Sequence, residues 1–351
     1  MDELTCFFAR PGDKLVLRLN RTVWHKIDQD RQHFSRDVRT PLPLSGFVSR
    51  LIQNDWQATQ DGDTIRCPHL LPTRPAGETE IRRLNISAEL VRFINAHPEL
   101  QAEILKPRPS DGQAFFTLHR WTAAILENYA SRPDTERELL YLYPLYRTCN
   151  IAISGQANSG ATCFGQLRVT FSENRTVKKL LLKPYSLFGG HNLPYNYLTG
   201  LYKVPNEASA DAPRWQPFAV RLDRISDLSL APGRGLTAAQ RQTMQSVLST
   251  TNIAYLREEN VEVRVRFTDT GLDMLQWIVS NRPDFSFDRS QGSNTVIMYT
   301  SEKQAYIYLN RFGAEAEVLH PVSLRHRLQE FYRQAAQVYE VSPAAVSASP
   351  C

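Results

Sequence analysis

The residues best suited to chemistry lie in the middle of the chain. Arg221 and Arg224 stand three apart at the end of a strand-like segment. A bend there would bring both guanidinium forks round one phosphate. Tyr185, Tyr195 and Tyr197 carry flat faces, and base stacking on such faces contributes ~1–3 kcal/mol per base whatever the sequence. Period two places Tyr195 and Tyr197 on one side of a strand. Lys183, His191 and Arg168 extend the group as a basic rim. Aromatics interleaved with arginines suit a single-stranded nucleic acid, whose bases are open to stacking. The same side chains have plainer uses. Barrel tyrosines are often core residues with satisfied hydroxyls, Arg224 could pair with Asp223 or Asp227, and His191 could serve only its Gly-Gly-His-Asn turn.

A second group lies near the front. Residues 14–20 alternate Lys14, Val16 and Arg18 against Leu15, Leu17 and Leu19, a strand with one leucine face and one largely charged face. Residues 80–85 repeat the Arg-Leu-Asn ending and would present Arg82, or Arg83 in a shifted register. Paired as an antiparallel ribbon, such strands read a DNA major groove with their outward residues. They could equally serve to join two copies.

Enzyme motifs are missing. The sequence holds no phosphate-binding G-x-x-x-x-G-K-[ST], no G-x-G-x-x-G opening a helix, no H-E-x-x-H and no G-x-S-x-G. Its eight histidines show no ligand spacing to a cysteine or carboxylate, and Cys67 with His69 lacks a second pair, so neither metal nor cofactor is expected. Five scattered cysteines without a CxxC pair suit a reducing compartment. With no signal peptide and no apolar run approaching ~20 residues, a cytoplasmic, non-catalytic protein is expected. The net charge of +5 is mild, but residues 160–230 hold nine basic against five acidic residues. That local excess would attract a polyanion.

The elements that must position these residues fall into blocks, as 351 residues demand more than one core. Residues 1–132 read as two divergent strand–helix–helix units, 14–57 and 79–131, with Ser45, Ser87 and Thr117 as helix caps. Residues 133–153 read as a connecting helix bent at Pro144. Residues 154–230 carry four strands, 164–171, 177–188, 195–203 and 215–222, separated by turns, the pattern of a small barrel or curled sheet. A linker and helix (231–259) follow. Residues 260–345 alternate strands and helices in a small α+β sandwich.

The middle block carries a resemblance. A strand with Lys183-Pro184-Tyr185-Ser186-Leu187 precedes Tyr195-Asn196-Tyr197-Leu198, and Phe218-Ala219-Val220-Arg221-Leu222-Asp223-Arg224-Ile225 closes the unit. This resembles the WYL domain, with Asn196 where the signature has tryptophan. Residues 261–341 look like the extension that accompanies WYL domains. Most of the chain is similar to the WYL accessory proteins beside type VI-D CRISPR loci, and its front resembles their ribbon-helix-helix element.

The resemblance implies a multidomain α+β protein: a ribbon-helix-helix-like front, an SH3- or Sm-like β-barrel and the terminal sandwich. It implies binding of single-stranded RNA, raising the activity of an RNA-guided nuclease. Its alternative is a DNA-binding transcriptional regulator whose WYL domain senses a ligand. Homodimers are expected under either.

Overall fold

The computed structural model describes residues 14–35, 42–63, 78–104, 118–155, 158–159, 162–173, 176–189, 195–204, 214–250, 253, 256, 260–279, 282–288, 290 and 294–339. It is a mixed α+β chain with antiparallel sheets, and its buried apolar side chains gather into three main cores. No helix among the described residues is long and apolar enough to cross a membrane.

The first core begins with a ribbon. β1 (Lys14–Asn20) pairs antiparallel with β2 (Thr79–Asn85), Val16 opposite Arg83 and Arg18 opposite Ile81. Leu15, Leu17 and Leu19 are buried, as their alternation demands. α1 (Arg21–Phe34) starts at Asn20, whose side chain accepts the Thr22 N–H at 2.8 Å. It buries Trp24 and Ile27 against α2 (Leu44–Gln60) and its Phe47, Val48, Leu51 and Ile52. Ser45 does not cap α2: Pro43 occupies the N-cap, and Ser45 lies within the first turn. After β2, Ser87 does cap α3 (Ala88–Ala96), accepting the Leu90 N–H at 3.1 Å. α4 (Pro98–Ile104) and α5 (Leu118–Ser131) complete this layer. Thr117 lies outside the described residues.

The expected bent helix is two helices. α6 (Asp134–Tyr141) and α7 (Tyr143–Ser154) meet at Leu142, whose backbone leaves the helical region, and Pro144 sits in the first turn of α7 where its missing N–H costs nothing. Gly155 closes α7 in a left-handed conformation (φ 70°) suited to glycine.

A two-residue hairpin follows, β3 (Asn158–Ser159) with β4 (Thr162–Cys163). The central sheet then has five strands, not four. β5 (Gln166–Glu173), β6 (Thr176–Gly189), β7 (Asn196–Lys203), β8 (Trp215–Arg221) and β9 (Ile225–Ala231) lie in the order β8-β7-β6-β5-β9. A 3-10 turn (Leu222–Arg224) leads from one edge strand to the other. β9 is not evident from sequence because Ser226, Asp227 and Ser229 break its apolar pattern. Of residues 231–235, read as a linker, Ala231 ends β9, and Gly233 bonds just ahead of β5: its N–H reaches Cys163 O at 2.7 Å, and Gly165 N–H reaches Gly233 O at 2.9 Å.

One face of this sheet packs Leu167, Val169, Leu182, Leu198 and Val220 against Cys149 and Ala152 of α7. α8 (Ala238–Thr250) and residues 253 and 256 meet the other face around Tyr197. β7 is therefore buried on both faces over most of its length.

The last unit orders β11 (Phe285–Phe287), β12 (Thr295–Ser301), β10 (Asn260–Phe267) and β13 (Ala316–His320) side by side. α9 (Asp269–Trp277), α10 (Glu302–Leu309) and α11 (Val322–Tyr339) accompany this sheet. Its core includes Val263, Val265, Met298, Tyr308 and Leu324.

Candidate nucleic-acid interface

The predicted arginine–tyrosine group gathers at the seam between the helical layer and the central sheet. Two contacts within the helical layer set its side of that seam. Arg137 of α6 holds Asp30 of α1 through two hydrogen bonds of 2.7 and 3.1 Å, and the Tyr129 hydroxyl donates to the same carboxylate at 2.7 Å. Phe34 and Phe47 stack on Tyr141, with ring centroids 4.1 and 4.8 Å away. The last turn of α1 is thus set beside α6, and His33 points at the sheet.

There His33 stacks on Tyr195, centroids 5.7 Å apart and rings within 20° of parallel. The Arg221 guanidinium carbon lies 3.3 Å from the centre of the Tyr195 ring. Arg221 Nε donates to Asp223 Oδ1 at 2.9 Å while Nη2 donates to Oδ2. Asp223 Oδ2 also lies 3.1 Å from His33 Nε2. Burial alone would lift the Asp223 carboxyl, but the bonds from His33 and Arg221 outweigh it and hold it below its ordinary value. Next to it, Glu138 of α6 is 5% exposed. Its Oε2 accepts both the Asn196 N–H (2.7 Å) and the Asn196 side-chain amide (2.6 Å). Burial pushes Glu138 up to about 7, against the pull of those bonds. Asn196, the residue in the tryptophan position of the signature, thus ties the sheet to α6; its amide also reaches Thr135 O at 2.8 Å.

This geometry corrects the stacking platform. Tyr195 has its ring flanked by His33 and Arg221, so neither partner is displaced without cost. Tyr197 is 8% exposed and packs with Ile253 and Leu256, because α8 and the segment after it cover that face of β7. Arg221 is occupied by Asp223, whereas Arg224 is exposed and bonds to no described residue. With Arg221 spent on Asp223 and Tyr195, the pair does not offer two free forks to one phosphate. Tyr185 is half-buried in the bulge of β6, where pairing to β7 shifts between Pro184 and Ser186. Lys183 donates to Gln240 of α8 at 3.3 Å and sits 4.6 Å from the Trp215 ring centre; burial lowers its pKa. Arg168 is exposed on β5, two strands away from β7. His191 lies outside the described residues.

A groove that sequence reasoning did not single out opens elsewhere on the sheet. Lys178, Lys179 and Lys203 line it, with Tyr202, Phe171 and Phe218. The phenylalanines are buried and form its floor, Tyr202 is half-buried, and the three lysines are exposed at its rim. Lys178 reaches Glu173 at 2.6 Å. The local basic excess was the available signal; its pairing with aromatics across β5, β6, β7 and β8 needed the strand register.

The front ribbon presents Lys14, Val16 and Arg18 outward from β1, and Thr79, Ile81, Arg83 and Asn85 from β2. Lys14 donates to Asn85 across the ribbon. Arg82 faces inward instead: it bonds Asp28 and Glu80 at 2.7 Å each and lies 4.6 Å over Trp24. Arg83 is thus the outward residue of the pair.

Residues 259–336 match the WCX domain. The fold as a whole is shared with a solved structure described as a CRISPR Cas-related protein: TM-score 0.71, 17% identity, 94% of this chain and 95% of that one. A proteasome accessory factor B/C (PafBC) of Arthrobacter aurescens also matches, at 14% identity over 92% of this chain and 54% of that one, with a TM-score of 0.31. No curated protein sequence matches the chain.

Proposed function

We propose that this chain, which resembles the WYL-domain CRISPR accessory proteins and matches the WCX domain over residues 259–336, is a cytoplasmic, non-catalytic nucleic-acid-binding regulator. In this reading it binds single-stranded RNA on the central sheet and enhances an RNA-guided nuclease of the type VI-D CRISPR kind, working as a homodimer. The central sheet is then an SH3- or Sm-like barrel and the front a ribbon-helix-helix-like element.

The observation that carries the reading is the groove of Lys178, Lys179 and Lys203 over an aromatic floor. Lysines at a rim neutralise successive phosphates, and Tyr202 is the aromatic there with exposed surface for a base. The chain-length fold likeness to a CRISPR Cas-related protein supports the setting.

The test is fluorescence anisotropy against an unstructured RNA over a salt series. Replacing the three lysines by glutamine should weaken binding at least tenfold and flatten the logarithmic salt dependence by ~0.7 for each phosphate no longer neutralised. Unchanged RNA binding in the triple variant sinks the reading. Adding the protein to a guided type VI-D nuclease should raise its cleavage rate; an unaltered rate removes the enhancer role and leaves RNA binding standing.

One observation favours a second reading, a DNA-binding transcriptional regulator: the ribbon displays Arg18 and Arg83 outward. Duplex affinity lost in Arg18→Ala and Arg83→Ala, and retained in the lysine variant, would select it.

A further inference from the structure

Three side chains far apart in sequence converge at the seam. His33 comes from the last turn of α1, Glu138 from α6 and Asp223 from the 3-10 turn after β8. One ligating atom from each lies within 4.8 Å of the other two. We propose that His33, Glu138 and Asp223 bind a divalent metal ion of the zinc class, through an imidazole nitrogen and one oxygen of each carboxylate.

The spacing fits such an ion. Around a tetrahedral zinc with bonds of ~2.0–2.2 Å, neighbouring ligand atoms stand about 3.4 Å apart. His33 Nε2 and Asp223 Oδ2 are already 3.1 Å apart. Glu138 supplies an independent observation. It is 95% buried (5% exposed), and its Oε1 has no hydrogen-bond partner among the described residues, while Oε2 is filled by Asn196. An ionised carboxylate buried with one oxygen bare is costly, and a cation is the partner that answers it. With Glu138 ionised the charges allow it: two carboxylates face one guanidinium, Arg221, so a negative charge remains for the ion to meet.

Partners that hold ligands in place are also present. Asn196 fixes Glu138, and Arg221 grips both oxygens of Asp223, as outer groups do around bound metals. One nitrogen and two carboxylate oxygens suit Zn²⁺, Mn²⁺ or Fe²⁺ and disfavour thiolate-seeking Cu⁺. Binding would displace any proton on His33 Nε2 or on the Glu138 carboxyl to solvent and leave a coordination position for water. Because the ligands span α1, α6 and the turn after β8, the ion would staple the helical layer to the sheet.

The experiment uses the full chain, free of any histidine tag and stripped with a chelator. Zn²⁺ alone is titrated in by calorimetry, and melting is followed with and without it. The wild type should take up one equivalent and melt at a higher temperature. Glu138→Gln and His33→Gln should each lose affinity by about tenfold or more while melting cooperatively in chelator. No stoichiometric uptake by the wild type overturns the proposal, and so does equal affinity in both variants. Should the variants fail to fold, Co²⁺ in the wild type decides. Absorption bands of nitrogen and oxygen ligation support the site; a sulfur charge-transfer band places the ion on cysteines and overturns it.

Discussion

Arg221 shows how a residue chosen for binding a phosphate can be spent on the protein itself. Its fork meets Asp223 and its face lies on Tyr195, both within a half-buried seam. Removing it leaves Asp223 with His33 as its remaining side-chain partner. Arg221→Ala should therefore destabilise the chain by about 2–3 kcal/mol, toward the low end of the cost of breaking a buried pair. Arg224→Ala, exposed and without an ion pair to a described residue, should change stability by less than ~0.5 kcal/mol. Urea unfolding of the two variants checks both; equal losses would contradict a structural Arg221 beside a dispensable Arg224. The cysteines allow a second residue-scale prediction. Burial pushes the Cys149 thiol up to about 12, whereas Cys163 is exposed. Alkylation mapped by mass spectrometry should mark Cys163 in the native protein and Cys149 only after unfolding. Sequence identified Arg221, Tyr195 and Tyr197 as neighbours, and they are neighbours. It could not tell that His33 would stack on Tyr195, because the two lie 162 positions apart along the chain, nor that Asp223 would take Arg221 rather than Arg224.

Strand β7 is the element that explains the misplaced platform. Period two predicts one wet and one dry face, and that holds for β1. In β7 the burial is nearly continuous, since α7 serves one side of the sheet and α8 the other. Its alternation of tyrosine with apolar and small residues looks the same in either setting, so the sequence could not reveal the second cover. Gly200 marks how tightly β7 meets β6: a Cβ there would stand 2.2 Å from the Lys183 carbonyl oxygen. Gly200→Ala should lower the melting temperature by several degrees, an overpacking cost of about 1–3 kcal/mol. A wild-type melting temperature would show that the bulge at Tyr185 yields freely. Elements with strong periodicity, such as α1, β1, β10 and α11, were legible to within a few residues. Those that depend on tertiary pairing, β9 and the three-residue β11, were not, because their short or polar sequences carry too little pattern.

At the scale of the whole molecule, α6 and α7 join the helical layer to the central sheet, and Asp30 with Arg137 locks α1 to α6. Arg137→Ala strands Asp30 and Tyr129 in a buried setting and should cost about 3–5 kcal/mol. Urea unfolding measures it, and a loss under ~1 kcal/mol would show that the aromatic stack on Tyr141 holds α1 against α6 unaided. The front ribbon carries a different consequence. A ribbon made by two identical chains presents the same residues on each strand, related by a twofold axis. Here both strands come from one chain, with Lys14, Val16 and Arg18 across from Asn85, Arg83 and Ile81. It forms unimolecularly, at any dilution, and within one protomer its outer surface has no twofold copy of itself. Whatever docks on one ribbon meets a directional surface: the stretch of duplex under it would be non-palindromic, and the two ribbons of a dimer would call for two such stretches related by the dimer axis.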